Sequence, residues 1–267
     1  MKTTTFKRFG LWLLAIVLPL VATAAPAYVD LGLSSGTLWA TYNIGASSPE
    51  GFGNYYAWGE VTPKSTYTWA NYQYASGSQS TVQDIGGTIA GTAYDAATKA
   101  WGSNWVMPTI VQMTELLNQC KLSLATLNGV NGLRLTGPNG NSIFLPLPGY
   151  KYDSTFTGQG TKTYYWSCRK DYVTNVDYKA GCLLLERSTS SASAKTSQCQ
   201  RRTGLPIRAV RATGASANDA EFDVDGIVAA PVATPADGST YTLQGVKVEG
   251  LLRPGVYIRD GKKFVVK

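Results

Sequence analysis

Only one stretch of this 267-residue chain keeps apolar residues at convincing helical spacing, and that scarcity is what most restricts the fold. Met113, Leu116, Leu117 and Cys120 fall on one face, behind a Thr109-x-x-Gln112 capping box that follows Pro108. Such a box satisfies two otherwise unpaired backbone N–H groups and marks a helix start, so a core-facing helix of about three turns is expected. A weaker helix is expected from Tyr94 to Trp101, where Ala96, Ala97 and Ala100 favour the helical backbone and Gly102 ends it.

Nearly everything else reads as strand and turn. Leu133 and Leu135 alternate before Pro138-Asn139-Gly140-Asn141, and Ile143, Leu145 and Leu147 alternate after it, which predicts a hairpin with Asn-Gly in the turn. Further strands are expected at Tyr164 to Cys168, Gly181 to Glu186 and Leu205 to Val210. The polar stretches Thr62 to Thr92, Lys151 to Thr163 and Arg187 to Thr203 read as loops too long to be simple connectors. Long loops on a rigid scaffold are where binding tends to reside. The expected class is α+β, with two helices and antiparallel strands.

The ends of the chain point to export. Within residues 1–24, Lys2, Lys7 and Arg8 precede the apolar run from Leu11 to Ala22, and Ala22-Thr23-Ala24 offers small residues for cleavage. That is the three-part pattern of a secretory signal peptide. The run is shorter than the about 20 apolar residues a membrane span needs, and it contains Pro19. The mature chain is then expected outside the cytoplasm, with membrane contact only through the signal peptide or the export machinery. It divides into a large unit, residues 27–213, a linker rich in Ala, Gly, Pro and Asp over residues 214–239, and a small alternating β tail, residues 240–267.

Loss of the signal peptide removes three of the 24 basic residues and none of the 17 acidic ones, leaving a formal charge of +4 instead of +7. Without a dense basic stripe or a recognised motif, nucleic acid is not a predicted partner. Arg201, Arg202, Arg208 and Arg211 are read as solvated or paired side chains on strands.

The chain has no histidine, which excludes Ser-His-Asp and Cys-His centres. Asp171, Asp177 and Glu60 read as loop carboxylates and not as a paired catalytic set. The reading is therefore that the chain is not an enzyme. Its four cysteines, Cys120, Cys168, Cys182 and Cys199, allow three pairings and contain no Cys-x-x-Cys, so neither a metal nor a cofactor is expected. What remains is aromatic. Tyr67, Trp69, Tyr72 and Tyr74 in the first long stretch, with Tyr152 and Phe156 in the second, are the ligand-binding candidates. Such rings bury large area at little entropic cost while a hydroxyl finds a polar partner.

Val29-Asp30-Leu31-Gly32-Leu33, Leu38-Trp39-Ala40-Thr41, Asn43-Ile44-Gly45-Ala46 and Gly53-Asn54-Tyr55-Tyr56-Ala57-Trp58-Gly59-Glu60 form an ordered series. Trp105-Val106-Met107-Pro108-Thr109, Gly140-Asn141-Ser142-Ile143-Phe144-Leu145-Pro146, Tyr165-Trp166-Ser167 and Pro206-Ile207-Arg208-Ala209-Val210 continue it. From about Tyr28 to Arg211 this series resembles the Fibrobacter succinogenes major paralogous domain of secreted Bacteroidetes proteins. That family is grouped with the C-type-lectin-like and formylglycine-generating-enzyme folds. The tail, with Tyr241-Thr242-Leu243-Gln244-Gly245 and Arg253-Pro254-Gly255-Val256-Tyr257, is similar to C-terminal sorting-type domains of exported Bacteroidetes proteins.

The resemblance implies a secreted or cell-surface protein of a Gram-negative bacterium. Its expected architecture is a C-type-lectin-like domain with a small all-β C-terminal domain, presenting a variable loop surface. The sugar-binding tripeptides of calcium lectins are missing from the chain, so binding of glycan or protein without metal is the expected activity. The alternative is a structural or accessory subunit of a cell-surface assembly. Tyr42 stands where the family's opening often has Cys; that departure leaves Cys168, Cys182 and Cys199 as the disulfide candidates.

Overall fold

The computed structural model describes residues 27–171, 173, 176–212, 240–242, 247–248, 255–259 and 262–266. The expected signal peptide, residues 1–24, and linker, residues 214–239, lie outside the described residues. The chain divides into two compact units, Met1–Asn218 and Asp219–Lys267.

The first unit is mostly antiparallel sheet with two helices, an α+β arrangement. Its elements are β1 (Tyr28–Asp30), β2 (Leu38–Ala40), α1 (Ala96–Trp101), β3 (Trp105–Val106), α2 (Ile110–Gln119), β4 (Lys121–Leu127), β5 (Val130–Thr136) and β6 (Ser142–Pro146). They continue with β7 (Tyr150–Tyr152), β8 (Thr155–Thr157), β9 (Lys162–Lys170), β10 (Lys179–Arg187), β11 (Ala192–Gln200) and β12 (Val210–Arg211). Strands from both ends of the unit share one sheet, ordered β1-β2-β12-β3; the others are β11-β10-β9, β4-β5-β6 and the β7-β8 hairpin. The second unit contributes β13 (Thr240–Thr242), β14 (Lys247–Val248), β15 (Gly255–Arg259) and β16 (Lys262–Val266), ordered β14-β13-β15-β16.

Helix α2 begins as the capping box predicts: Thr109 Oγ1 accepts from Gln112 N at 3.1 Å and Gln112 Oε1 accepts from Thr109 N at 2.9 Å. A cap of this kind is worth about 1 kcal/mol. Helix α1 starts two residues later than expected, because Asp95 is its N-cap, accepting from Ala97 N and Thr98 N. The same carboxylate accepts from Gly91 N and Met107 N, so it also ties the helix to the chain beyond β3. Burial pushes the Asp95 carboxyl upward, against the pull of those N–H donors.

Strands β9 and β10 divide the core. Alternation sends Tyr165, Leu183 and Leu185 to one side, with Leu31, Trp39, Met113, Leu116, Leu133 and Leu145. It sends Trp166, Cys168, Ala180 and Cys182 to the other, with Trp58, Trp105, Met107 and Ile207. A strand buried on both faces reads as a continuous apolar run, as Ala180 to Leu185 does. Within the second layer the Tyr56–Trp58 segment is bolted to β9 at two tryptophans: Trp58 Nε1 donates to Ser167 O at 2.9 Å and Trp166 Nε1 to Tyr56 O at 2.7 Å.

Three expectations are corrected. The stretch Arg187 to Thr203 is not one loop: it contains β11, paired with β10 over nine residues. Its composition hides it, because its small and polar residues gain their order from the partner strand. Lys151 to Thr163 likewise contains part of the β7-β8 hairpin. Conversely, Leu205 to Val210 is regular strand only at its end. Leu205 O, Ile207 O and Ala209 O each accept from a different point of the opening segment, Tyr56 N, Ile44 N and Ala40 N, so the chain is extended without forming a ladder there.

Candidate functional site

Three segments far apart in sequence are stitched together by backbone pairs. Tyr67 N donates to Asp153 O at 2.9 Å, and Lys151 and Gly204 exchange N–H donors to each other's carbonyls at 2.9 Å. The loop around Tyr67, the β7-β8 hairpin and the turn after β11 thus meet on one surface. Each is fixed locally. Thr68 and Asn71 form a capping box around the single turn Trp69–Asn71, and Asn71 Nδ2 also reaches Thr66 O at 3.0 Å. Gly204 lies beneath the Tyr67 ring, where an added Cβ would stand 2.7 Å from Tyr67 Cε2.

The sequence candidates separate into two kinds. Tyr67 and Tyr72 are buried, 0% and 2% exposed, and do not offer a ligand a ring face. Their hydroxyls are used internally: Tyr67 donates to Tyr55 O at 2.6 Å and Tyr72 to Trp58 O at 2.8 Å. Burial pushes the Tyr67 phenol up to about 12. Burial also raises Tyr72, against the opposing effect of Arg201. These two are pins for the loop. Tyr74 is half-buried, edge-on to Tyr72 and Tyr94 with centroids 5.8 Å and 5.3 Å away. Trp69 is also half-buried, edge-on to Tyr72 and Tyr178. Tyr152 and Phe156, from the hairpin, are 40% and 50% exposed.

Arginines absent from the sequence candidates organise this surface. The Arg202 guanidinium lies 3.9 Å from the Tyr152 ring centroid and 5.6 Å from that of Trp69. It donates from Nη1 to Asp153 Oδ1 at 2.7 Å and to Tyr67 O at 2.9 Å, and from Nε to Gln200 Oε1 at 3.1 Å. A planar guanidinium suits this double duty of stacking and forked donation, which an ammonium does not. Arg201 is fully buried, 4.6 Å from the Trp58 centroid, and donates from Nε to the Tyr72 hydroxyl at 2.9 Å. Arg208, also buried, donates to Asn43 Oδ1, Ala40 O and Phe144 O. Of the two expected states, solvated or paired, these three arginines are not solvated, at 0%, 6% and 1% exposed for Arg201, Arg202 and Arg208, and Arg202 is paired with Asp153. Arg208 sits between the buried Ile207 and Ala209 in an extended segment enclosed by the core, and its apolar-polar alternation gave no sign of that burial.

Beside Phe156, Lys151 Nζ lies 4.4 Å from the ring centroid, and Tyr55 meets the same ring edge-on at 5.2 Å. A shallow cavity of about 240 Å³ adjoins the Tyr67 loop, lined by Glu60, Thr62, Pro63, Lys64, Asn71 and Gln73. Its carboxylate is spoken for, since Lys64 Nζ donates to both Glu60 oxygens, at 2.8 Å and 2.7 Å, and Gln73 N donates to Oε1. Asp171 is 5% exposed and accepts from Val173 N, while Asp177 is paired with Lys170. Among the described residues, no group of three or more Cys, Asp or Glu side chains is placed to hold a metal ion.

No disulfide joins the four cysteines. Cys168 and Cys182 are buried in the tryptophan-rich layer and Cys199 packs against it, while Cys120 belongs to the other layer. No described helix is long and apolar enough to cross a membrane. Comparison with protein-family models, with curated proteins and with solved structures finds no match.

Proposed function

We propose that the chain is an exported, non-catalytic recognition module that binds glycan or protein, without metal, through the surface where Trp69 and Tyr152 meet at Arg202; Phe156 lies on the other face of the β7-β8 hairpin, beside Lys151. The observation that carries this reading is the Tyr152–Arg202–Trp69 stack, with Tyr152 on one side of the guanidinium and the Trp69 ring within reach. A rigid, ready-made arrangement of rings and a tethered cation lowers the ordering cost of binding. Exposed rings fit the apolar faces of sugars or peptide side chains, and the buried Arg202 guanidinium backs Tyr152 and fixes its position. The lectin-like architecture and the family assignment belong to the same proposal. They are supported by the ordered motifs from Tyr28 to Arg211 and by the sheet that unites β1 and β2 with β12.

Placement outside the cytoplasm follows from the same proposal, through the signal pattern of residues 1–24. A second reading, a structural or accessory subunit of a cell-surface assembly, has one observation in its favour. Among the described residues, β14 and β16 of the C-terminal sheet each have a strand on one side only, leaving backbone donors and acceptors for a partner strand.

The test is a glycan-array and immobilised-mucin assay with the purified chain, with and without a chelator, beside Tyr152→Ala and Phe156→Ala. The expected outcome is saturable binding that survives chelation and weakens about tenfold or more in Tyr152→Ala, the scale of an interface anchor, while Phe156→Ala stays close to the parent. Binding unaffected by Tyr152→Ala removes the proposed surface, and a loss in Phe156→Ala instead moves the site to the other face of the hairpin. Absence of any binding turns the case to assembly, where capture of partner chains through the C-terminal strands is the next measurement.

A further inference from the structure

We infer that Cys182 and Cys199 are a disulfide-forming pair, and that their oxidation locks the end of β11 from which the Arg202 turn departs. Their sulfurs are 3.4 Å apart. They lie on the same face of adjacent antiparallel strands, one step off direct opposition, since Cys182 faces Ser197 and Cys199 faces Ala180. A disulfide bond is about 2.05 Å long, so closure asks the sulfurs to approach by roughly 1.4 Å, within the compass of side-chain rotation. The remaining thiols are placed differently. Cys168 accepts from Thr88 Oγ1 at 3.4 Å, and Cys120 lies in the other core layer.

The two sulfurs have unequal access. Cys182 is completely buried, whereas Cys199 is half-buried on β11, an outer strand of its sheet. Cys199 is therefore the thiol that a small-molecule disulfide such as glutathione disulfide reaches first. Its thiolate attacks one sulfur of the reagent, the reagent's S–S bond breaks, and one glutathione leaves as thiolate and takes a proton from solvent. Cys182 then gives up its proton and its sulfur attacks Cys199 Sγ, expelling the second glutathione. Two protein thiols are oxidised to one disulfide, and one glutathione disulfide is reduced to two glutathiones. Gln200 follows Cys199 directly and accepts from Arg202 Nε, so the cross-link fixes the start of the turn that holds the guanidinium. The pairing does not depend on what the aromatic surface binds.

The test is peptide mapping of the full chain by mass spectrometry after equilibration with glutathione disulfide and alkylation, without reductant. The expected result is a peptide linking Cys182 to Cys199, with Cys120 and Cys168 alkylated. The oxidised chain should melt roughly 5–10 °C above the reduced one. Cys199→Ser should abolish both the linked peptide and the shift. Alkylation of all four cysteines, a glutathione adduct at Cys199 that never resolves, or a link to Cys120 or Cys168 overturns the pairing. A Cys182–Cys199 link with no change in melting keeps the pairing and overturns the locking. If the variant does not fold, the map of the unaltered chain still decides.

Discussion

The loop holding Tyr67 to Tyr74 and the hairpin holding Tyr152 and Phe156 are both aromatic-rich polar stretches with opposite structural roles. Both are short aromatic-bearing stretches set among Thr, Ser, Asn and Asp. In the loop, Tyr67 and Tyr72 turn inward and spend their hydroxyls on Tyr55 O and Trp58 O. In the hairpin, Tyr152 and Phe156 remain outside, resting against Arg202 and against Lys151 and Tyr55. The difference lies in what each segment has beneath it. The loop runs over Gly204 and Arg201, which leave room for a ring and a partner for its hydroxyl. The hairpin is anchored by backbone bonds at Lys151 and Asp153 and has no need of its rings to hold it. An aromatic residue in a long loop is therefore a binding candidate only after its hydroxyl and its underside have been accounted for.

The sharpest way to break this contrast is truncation on each side. Tyr67→Ala should cost about 4 kcal/mol of stability, the usual loss for a buried aromatic side chain, measured by denaturant unfolding. Phe156→Ala should cost under about 1 kcal/mol by the same measurement, because half of its surface is already in water. Equal losses would mean that the hairpin rings are structural too. Gly204→Ala probes the underside of the loop. A Cβ placed 2.7 Å from the Tyr67 ring has to displace it, at a cost of about 1–3 kcal/mol, and the displacement should carry through Tyr67 N into the Asp153 pair. A variant as stable as the parent would show that the ring has slack.

Much of the scaffold was legible in the sequence. The Thr109–Gln112 box located α2, apolar alternation located β5 and β6, the strands expected at Tyr164 to Cys168 and Gly181 to Glu186 fall within β9 and β10, and Gly102 marked the end of α1. These are local signals, each acting within a few residues. The strand β11 escaped because Ser, Thr, Lys and Gln carry no apolar alternation strong enough to mark it, and its order comes from nine pairings with β10. The role of Arg202 escaped for a related reason. Its contacts reach 49 and 135 residues away, to Asp153 and Tyr67, and no spacing within the sequence encodes them. Of the six aromatic candidates the structure brings the two groups side by side, which spacing could not show, and then divides them by burial.

A smaller effect sharpens the contrast at its meeting point. Arg202→Lys keeps the charge while removing the planar face against Tyr152 and the fork shared by Asp153 and Tyr67 O. Stability should fall by about 1 kcal/mol, and any ligand bound by the surface should bind several-fold more weakly. A variant that retains affinity would reduce Arg202 to a staple between loop and hairpin.

The smallest expected effect at ordinary pH, and the most direct reading of which rings are inside, is alkaline titration followed by tyrosine absorbance. An exposed phenol ionises near 10, whereas burial holds Tyr67 and Tyr165 up to about 12 in the folded chain. Between those values the folded state keeps protons that the unfolded state has released, so stability is complete below about pH 10 and falls as pH rises toward 12. Near neutrality the curve should be flat. At about pH 11 the absorbance should report only part of the tyrosines as ionised, with the remainder appearing together as the chain unfolds. In Tyr67→Phe the late, cooperative portion should shrink while the early portion is unchanged. A change in the early portion instead would place Tyr67 among the solvent-facing rings and erase the distinction between loop and hairpin.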